Sequence, residues 1–442
     1  MTIRKITVNS STVSDSDNTS TGSFDVPSGT TAQRPSSANT GQLRFNTSID
    51  SLEFYDGNAW VPTNLVPNVS GVTGTIKPGV ASNLVIAMTN FTSSISVRFS
   101  PTGGSSVDVA GLTGASSVTV AVPAGIYNSY SAGNSVGVKV INADGTQSNT
   151  ISTTIATLPS GGTITTSGNF RIHKFTTSGN FVNTVANLGV QYLIVGGGGG
   201  GGGGFQSGGG GGGGFRTNVT GATSGRGASA EAAMTLSSAA TLAVTVGAGG
   251  AGGAAVTSST ATASGSQGGS SAFNSITSLG GGFGSSYWTP SPHAGGNGGC
   301  GGGAGNNAGA QSGGDGTAGQ GYDGGDTLDY LTPYSGGGGG GAGAVGANAS
   351  NNNPGHGGNG QASSITGSSV TYGGGGGGAG YVTSSGNGGT GGGAAGRTGN
   401  SPPANAGSDE LGGGGGGIGN QGIAGGTGGS GIVIVRYDLT TF

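Results

Sequence analysis

Nine consecutive glycines at 196–204 constrain this chain more than any other feature. Further uninterrupted runs occupy 208–214, 336–341, 373–378 and 412–417. Of the 109 glycines in 442 residues, 89 follow residue 190. Glycine loses more backbone entropy on ordering than any other residue, which disfavours it inside helices and strands. A run of nine therefore has two physical outcomes: a flexible coil, or an extended helix of the polyproline II type packed against copies of itself. That helix has three residues per turn, a rise of ~3.1 Å and no internal hydrogen bonds, so its peptide groups all point outward. Only glycine lets neighbouring backbones come close enough, on several sides, to satisfy one another's groups. A nine-residue run would span ~28 Å on that rise.

The segments between the runs favour packing. Short apolar β-type stretches punctuate them: Tyr192-Leu-Ile-Val195, Leu242-Ala-Val-Thr-Val246, Ser364-Ile365, Val370-Thr-Tyr372 and Ile432-Val-Ile-Val-Arg-Tyr437. A flexible linker has no use for these, and linkers mix serine regularly into glycine. Composition by itself would favour disorder. Collagen is excluded, because only 14 prolines are present and no strict Gly-X-Y period runs through the block. An internal echo supports a built unit: Gly268 to Thr277 leads into Gly280, and Gly360 to Thr366 leads through Val370-Thr-Tyr372 into the run at Gly373.

Charge is sparse, at 7% of residues with a net of −3, and no basic stripe supports nucleic-acid binding. The hydrophobic share is 31%, too low for a large conventional core. Backbone hydrogen bonds and oligomer contacts are therefore expected to carry much of the stability. Cys300 is the sole cysteine, so no disulfide framework or paired-cysteine metal site exists within the chain. The N-terminus lacks the apolar core of a secretory signal, and no apolar stretch reaches ~18 residues. The expectation is synthesis in a cytoplasm, with exit by lysis or within a particle.

Three segments follow from the pattern. Residues 1–64 read as an extended arm followed by paired short strands, with turn signals at 46–50 and at Asp56-Gly57. Residues 65–158 carry recurrent strand-like runs separated by turn clusters, which predicts a β-sandwich. Residues 159–442 form the glycine block, opened by Phe170-Arg-Ile-His-Lys-Phe175 and closed by the strand at 432–437; the two ends are expected to pair and clamp the middle. The fold class expected is all-β with polyglycine helices.

These segments resemble known families. Arg34-Pro35, Gly41-Gln-Leu-Arg-Phe-Asn46 and Phe54-Tyr-Asp-Gly-Asn-Ala-Trp60 resemble a short repeat of tail-fibre and structural proteins of tailed bacteriophages, notably those of marine cyanobacteria. Val118-Thr-Val-Ala-Val-Pro-Ala-Gly125 and Val136-Gly-Val-Lys-Val-Ile-Asn-Ala-Asp-Gly145 look like an IPT/TIG-type immunoglobulin domain. Residues 161–438 resemble the glycine-rich domain of phage virion proteins, with Tyr192-Leu-Ile-Val195 entering the first run and Gly428-Gly-Ser-Gly-Ile-Val-Ile-Val-Arg-Tyr437 closing the block. The glycine-rich adhesins at the fibre tips of T-even-type phages are similar in principle, although this chain carries its own arm and immunoglobulin-like block. The resemblance implies a homotrimeric tail fibre located in the virion. Its arm would meet other tail or capsid proteins, and its glycine block would meet a host cell-surface receptor. The alternative is a passive decoration or spike protein.

Each candidate residue also has a plain structural role open to it. A packed polyglycine lattice has no room for rings, so Phe205, Phe215, Phe283, Tyr287, Trp288, Tyr322, Tyr330, Tyr334 and Tyr381 must lie on its faces or at its tips. They cap the lattice, or they bind, since Tyr and Trp give rigid amphipathic contact at low entropy cost. Tyr287-Trp288 is the first receptor-binding candidate, the stretch from Tyr322 through Tyr330 to Tyr334 the second, and Tyr381 completes the set. Asp323, Asp326 and Asp329 recur every third residue and would share one edge of a three-residue turn, a weak calcium candidate. His173 reads as a surface or half-buried strand residue, and His293 and His356 as loop residues. Gly-x-Gly-x-x-Gly matches carry no weight without a following helix. No catalytic constellation stands out, so no enzyme and no cofactor are expected. Ice binding would need a flat, regular face, which the irregular insertions oppose.

Overall fold

A computed structural model describes residues 7–8, 11–12, 26–48, 51–63, 66–237, 239–257, 263–287, 293–306, 309–328, 334–351, 353–381, 384–398 and 404–441. The protein is nearly all β, with several small antiparallel sheets and, among the described residues, one α-helix of four residues, Ala124–Tyr127, and two short 3-10 turns. It divides into two compact units, Met1–Ala156 and Thr157–Phe442.

The first unit contains a small sheet and a sandwich. In the small sheet Ser28–Gly29 runs parallel to Leu43–Asn46, which pairs antiparallel with Ser51–Tyr55 and then Trp60–Pro62. The Asp56-Gly57 turn forms as the sequence signals. The Asp56 carboxylate accepts the N–H groups of Asn58 and Ala59, and Gly57 supplies a φ of 103°. A buried ionic network takes the place of an apolar core. The carboxylate of fully buried Glu53 receives Arg34 at 2.6 Å, Arg44 at 3.1 Å and Asn46 Nδ2 at 3.0 Å. Burial raises its pKa, but the hydrogen bonds from Arg34 and Asn46 and the charges of Arg34 and Arg44 outweigh that and hold it below the usual carboxylate value.

The sandwich has a four-stranded sheet (Val107–Thr113, Ser94–Pro101, Ser135–Asn142, Ile151–Thr154, in that spatial order) and a three-stranded one (Ser117–Ala121, Asn83–Thr89, Asn68–Thr73). Strict alternation in Ser94–Pro101 and Ser135–Asn142 points every second side chain inward. Val97, Phe99, Val136, Val138 and Val140 thus meet Leu84 and Ile86 of the other sheet in one core.

The second unit is a β base carrying a glycine lattice. Its main sheet has the order Thr163–Ser167, Phe170–Phe175, Ile432–Asp438, Leu188–Val195, Phe215–Thr217. The two ends of the block do pair, Ile172 opposite Arg436 and Phe175 opposite Val433. The closing strand also pairs along Leu188–Val195, so entry and exit of the lattice are fixed together. One face of this sheet packs Ile172, Leu193, Val195, Ile432 and Ile434 against Ile365 and Tyr372 of the Gln361–Ser363/Val370–Tyr372 hairpin. On the other, His173 contacts Phe181 and Tyr437 at centroid distances of 4.9 and 5.7 Å, and Phe181 contacts Phe273. His173 is fully buried, deeper than its strand context suggests. Its Nδ1 bonds the Gly161 carbonyl oxygen at 2.8 Å, and burial lowers its pKa to about 4.

From this base the chain shuttles outward and back as polyproline-type helices. Residues 196–204 donate from every third N–H to a different neighbour. Gly196, Gly199 and Gly202 bond 214, 211 and 208; Gly197, Gly200 and Gly203 bond 269, 266 and 263; Gly198, Gly201 and Gly204 bond 429, 426 and 423. All three neighbours run antiparallel. The same helix accepts from three parallel ones, as in Gly281 to Gly197, Gly250 to Gly198 and Gly415 to Gly199. Six neighbours surround one helix, each contacted once per three-residue turn, and none of residues 196–203 has a positive φ. This is the packed outcome, and it shows why glycine is required. A Cβ on Gly199 would strike the Gly282 carbonyl oxygen, and one on Gly200 the Ala251 carbonyl oxygen, well inside 3.0 Å.

All five glycine runs are buried throughout, and they bond to one another: Gly199 to Gly211, Gly209 to Gly337, Gly210 to Gly415, Gly376 to Gly210 and Gly339 to Gly376. Edge helices read differently. In 247–256 the residues exposed at every third step are Ala248, Ala251 and Ala254, while Gly250 and Gly253 are buried. In 424–431 the outward positions are Ala424, Thr427 and Ser430. An uninterrupted run marks an interior helix, and a Gly-Gly-x repeat marks an edge one.

Candidate functional site

The lattice has two unlike ends. At the base the helices feed hairpins: Ser271–Phe273 with Ile276–Ser278 joins the helices 263–270 and 279–286, and Gln361–Ser363 with Val370–Tyr372 joins 354–360 and 373–380. These are the two echoes seen in the sequence. At the far end the helices are joined by turns, beginning with Phe205-Gln206-Ser207 between the first two runs.

Aromatic rings gather at that far end. Phe205 lies edge-on to Tyr381 at 5.0 Å and to Tyr287 at 5.6 Å. Tyr381 is 45% exposed. Gly380, just before it, bridges to Ser335, which places half-buried Tyr334 beside the same strand-like contact. Three of the candidates, Tyr287, Tyr334 and Tyr381, thus come from turns far apart in sequence to one end. Their footing is well held. Ser285 Oγ donates to the His293 carbonyl oxygen, Ser286 Oγ donates to Gly203 O at 2.6 Å, and His293 Nδ1 bonds Ser286 O at 3.1 Å. Charge is sparse there. Arg397 donates from Nε to Asn405 at 3.2 Å, and Asp326 accepts the Gly313 N–H at 2.8 Å.

Tyr322 lies elsewhere, which divides the second candidate stretch. Its N–H bonds Gly341 O and its carbonyl accepts Gly301, at the base end of the helix 321–327. Arg226 sits 5.6 Å over its ring. Five residues separate it from Thr327, ~16 Å along such a helix. The three-residue period nonetheless puts Asp323 and Asp326 on one edge, as expected: their carbonyls accept Gly346 and Ala349 of a single neighbour. The carboxylates are occupied by protein groups. Asp323 takes Arg226 through both oxygens at 2.7 and 2.9 Å and also accepts Gly316 N–H. Burial opposes its ionisation, but Arg226 and the Gly316 amide hold its pKa below the ordinary range. Trp288, Asp329 and Tyr330 lie outside the described residues.

The other ring positions are structural. Phe215 is fully buried in the base core, and Phe283 lies along a lateral face against Gly296. Cys300 is buried with its thiol pushed up to about 12, where it contacts Gly213 O at 3.5 Å. His356 accepts the Asn387 N–H on an exposed edge. Clefts of about 350 and 380 Å³ are found at the base end, the larger lined by Phe170, Gln191, Arg436 and Asp438. Among the described residues no group of three His, Cys, Asp or Glu side chains could hold a metal, and no helix is long and apolar enough to cross a membrane.

Sequence reasoning missed Phe205 as the hub of the ring cluster. The signal was available: Phe205 stands in the three-residue break between two pure runs, so it must cap interior helices. No curated protein matches the chain. Residues 176–438 match the glycine-rich domain, and since that span is more than half of the chain, the protein belongs to the glycine-rich domain family.

Proposed function

We propose that this protein is a virion appendage of a tailed bacteriophage, a tail fibre that attaches to a host cell surface through the far end of its glycine lattice. The observation that carries this reading is the convergence of Phe205, Tyr287 and Tyr381 at the end opposite the β base. The chain enters this unit through Thr163–Ser167 at the base sheet, so the ring cluster stands at the end away from the chain's entry. A rigid lattice offers turns whose side chains are free of packing duties, and tyrosine supplies contact area at low entropy cost. Attachment is non-covalent. In a homotrimer, several weak tips would act together through effective concentration. The arm at 1–64 would engage other virion proteins.

The passive alternative rests on the same rings, since edge-to-face packing on Phe205 also serves as a cap. The test is binding of the purified full-length protein to susceptible bacterial cells, comparing wild type with Tyr287→Ala/Tyr381→Ala. Saturable binding lost in the variant, with its melting temperature retained, supports adhesion. Folded wild-type protein that binds no susceptible host overturns it in favour of the passive role.

A further inference from the structure

The small sheet of the first unit is built inside out. Successive residues of a strand take opposite faces, and directly opposed residues of an antiparallel pair share a face. The register therefore sorts the side chains of Leu43–Asn46, Ser51–Tyr55 and Trp60–Pro62. Leu43 stands opposite Phe54, Phe54 opposite Val61, and Phe45 opposite Leu52. One face thus carries Leu43, Phe45, Leu52, Phe54 and Val61, with no polar side chain among them. The other carries Arg44 opposite Glu53, Asn46 opposite Ser51 and Tyr55 opposite Trp60.

Burial runs against polarity. Arg44, Asn46 and Glu53 are the buried residues of this sheet, at 4%, 0% and 0% exposure. The segment 30–34 covers their face. Arg34 reaches Glu53, Asn46 Nδ2 donates to Thr31 Oγ1 at 3.1 Å, and Arg44 donates to Thr30 O at 3.2 Å. None of the five apolar residues is buried, Leu43 is 42% exposed, and none of them joins the sandwich core. A small sheet needs a packed hydrophobic face to be stable, and a buried ion pair contributes little in its place. The apolar face is left to be closed from outside.

Its chemistry and the flanking chain indicate what closes it. The five side chains carry no charge and no hydrogen-bonding group. Two identical faces therefore meet without repulsion and strand no polar atom, as in the apolar interiors of homodimer interfaces. The chain ahead of the sheet is a poor cover, because 16 of residues 1–25 are Ser, Thr, Asn or Asp. The face is also self-complementary. A two-fold axis along the central strand sets the Leu43 edge of one copy over the Val61 edge of the next, large against small.

We propose that the face formed by Leu43, Phe45, Leu52, Phe54 and Val61 is an interface between copies of this chain, packed on the same face of a second copy. The strap at 30–34 holds the register from behind, and the second copy supplies the apolar core that one copy lacks. This assignment is independent of what the far end of the lattice binds.

The test uses the full-length protein. Sedimentation velocity at roughly 1–100 μM reads its mass, a range that brackets contacts of moderate affinity. The expected result is an oligomer whose dissociation constant is at least tenfold weaker in Leu43→Lys/Val61→Lys. A benzophenone crosslinker at Leu43, with exposed Asn58 as the control position, reads adjacency directly. Irradiation should join two chains from position 43 and not from 58, with the attachment mapped to residues 43–61 of the second chain. The crosslink decides the matter if the double lysine variant misfolds. A wild-type protein that stays monomeric throughout overturns the proposal. So does a position-43 crosslink that maps only within its own chain to residues 1–25, which would make that segment the cover.

Discussion

Gly210→Ala tests the lattice at its centre. Gly210 donates to Gly415 at 2.8 Å and accepts from Gly376 at 2.8 Å, and an added Cβ would strike the carbonyl group of Gly199 and the backbone of Gly200. Those atoms are main chain, so no side-chain rotation relieves the clash. Overpacking of a rigid interior costs about 1–3 kcal/mol. The displaced helix also weakens the neighbouring bonds, such as Gly199 to Gly211, at about 1 kcal/mol each. Alanine narrows the unfolded ensemble and returns about 0.4–1 kcal/mol. The net expectation is a loss of roughly 2–4 kcal/mol, or about 5–10 °C in melting temperature for a unit of this size. Edge positions behave oppositely. Ala251→Gly should cost only the unfolded-state term of about 0.4–1 kcal/mol, and Thr427→Ala should stay within about 0.5 kcal/mol. Differential scanning calorimetry of the full chain reads all three. A Gly210→Ala transition no lower than that of Thr427→Ala would refute backbone crowding as the reason for the pure runs.

The buried network of the first unit should respond to acid. Glu53 titrates below its unfolded value, so its stabilisation is complete above that value and is lost as pH falls through the folded pKa. Glu53→Gln leaves Arg44 buried without its counter-charge and should cost about 3–5 kcal/mol at neutral pH. In pH-dependent denaturant melts that gap must narrow below about pH 4, taken from the ordinary carboxylate range; a gap constant down to strong acid would sink the ionic account. Cys300 gives a third check. Its thiol is buried and resists ionisation, so a thiol reagent at pH 8 should label it only as the lattice opens, at the rate set by unfolding. Immediate labelling of the native protein would mean that the helices around Gly213 are not packed as described.

Much of this fold was legible because two periods are written into the residues. Alternation at 94–101 and 135–142 specified half-buried strands, and the structure seats their inward side chains in one core. The pairing of Phe170–Phe175 with Ile432–Asp438 was legible from two apolar strands that open and close the glycine block. The lattice itself was recognisable from the purity of its runs, yet its internal order was not. No sequence period states that 196–204 pairs with 208–214, 263–269 and 423–429, because glycine carries no side chain to encode a partner. Partner choice is set by the hairpins and turns that launch each helix, so it becomes visible only once the base is assembled. The depth of His173 was likewise hidden, since the covering layer of Phe181 and Phe273 arrives from a second sheet.

The candidate site divides along the same line. Tyr287, Tyr334 and Tyr381 look equivalent to Tyr322 in sequence, each a ring within three residues of a glycine. What separates them is the direction of travel of the helix they flank, and a polyglycine helix has no directional signature. The Tyr322 ring begins an outward helix and so lies at the base with Arg226, whereas Tyr381 ends one and so lies at the tip. The same reasoning explains why a tip can carry function. Along the pure runs a Cβ meets a backbone carbonyl at nearly every position, the few other interior residues are small ones such as Ala304 and Cys300, and edge helices such as 247–256 carry a small residue at every third step. Freedom to place large or polar side chains therefore survives on edge helices and in the turns, and the turns opposite the base hairpins are those that no sheet covers. A chain built this way has one end on which chemistry can vary without disturbing the lattice, and Phe205, Tyr287 and Tyr381 occupy that end.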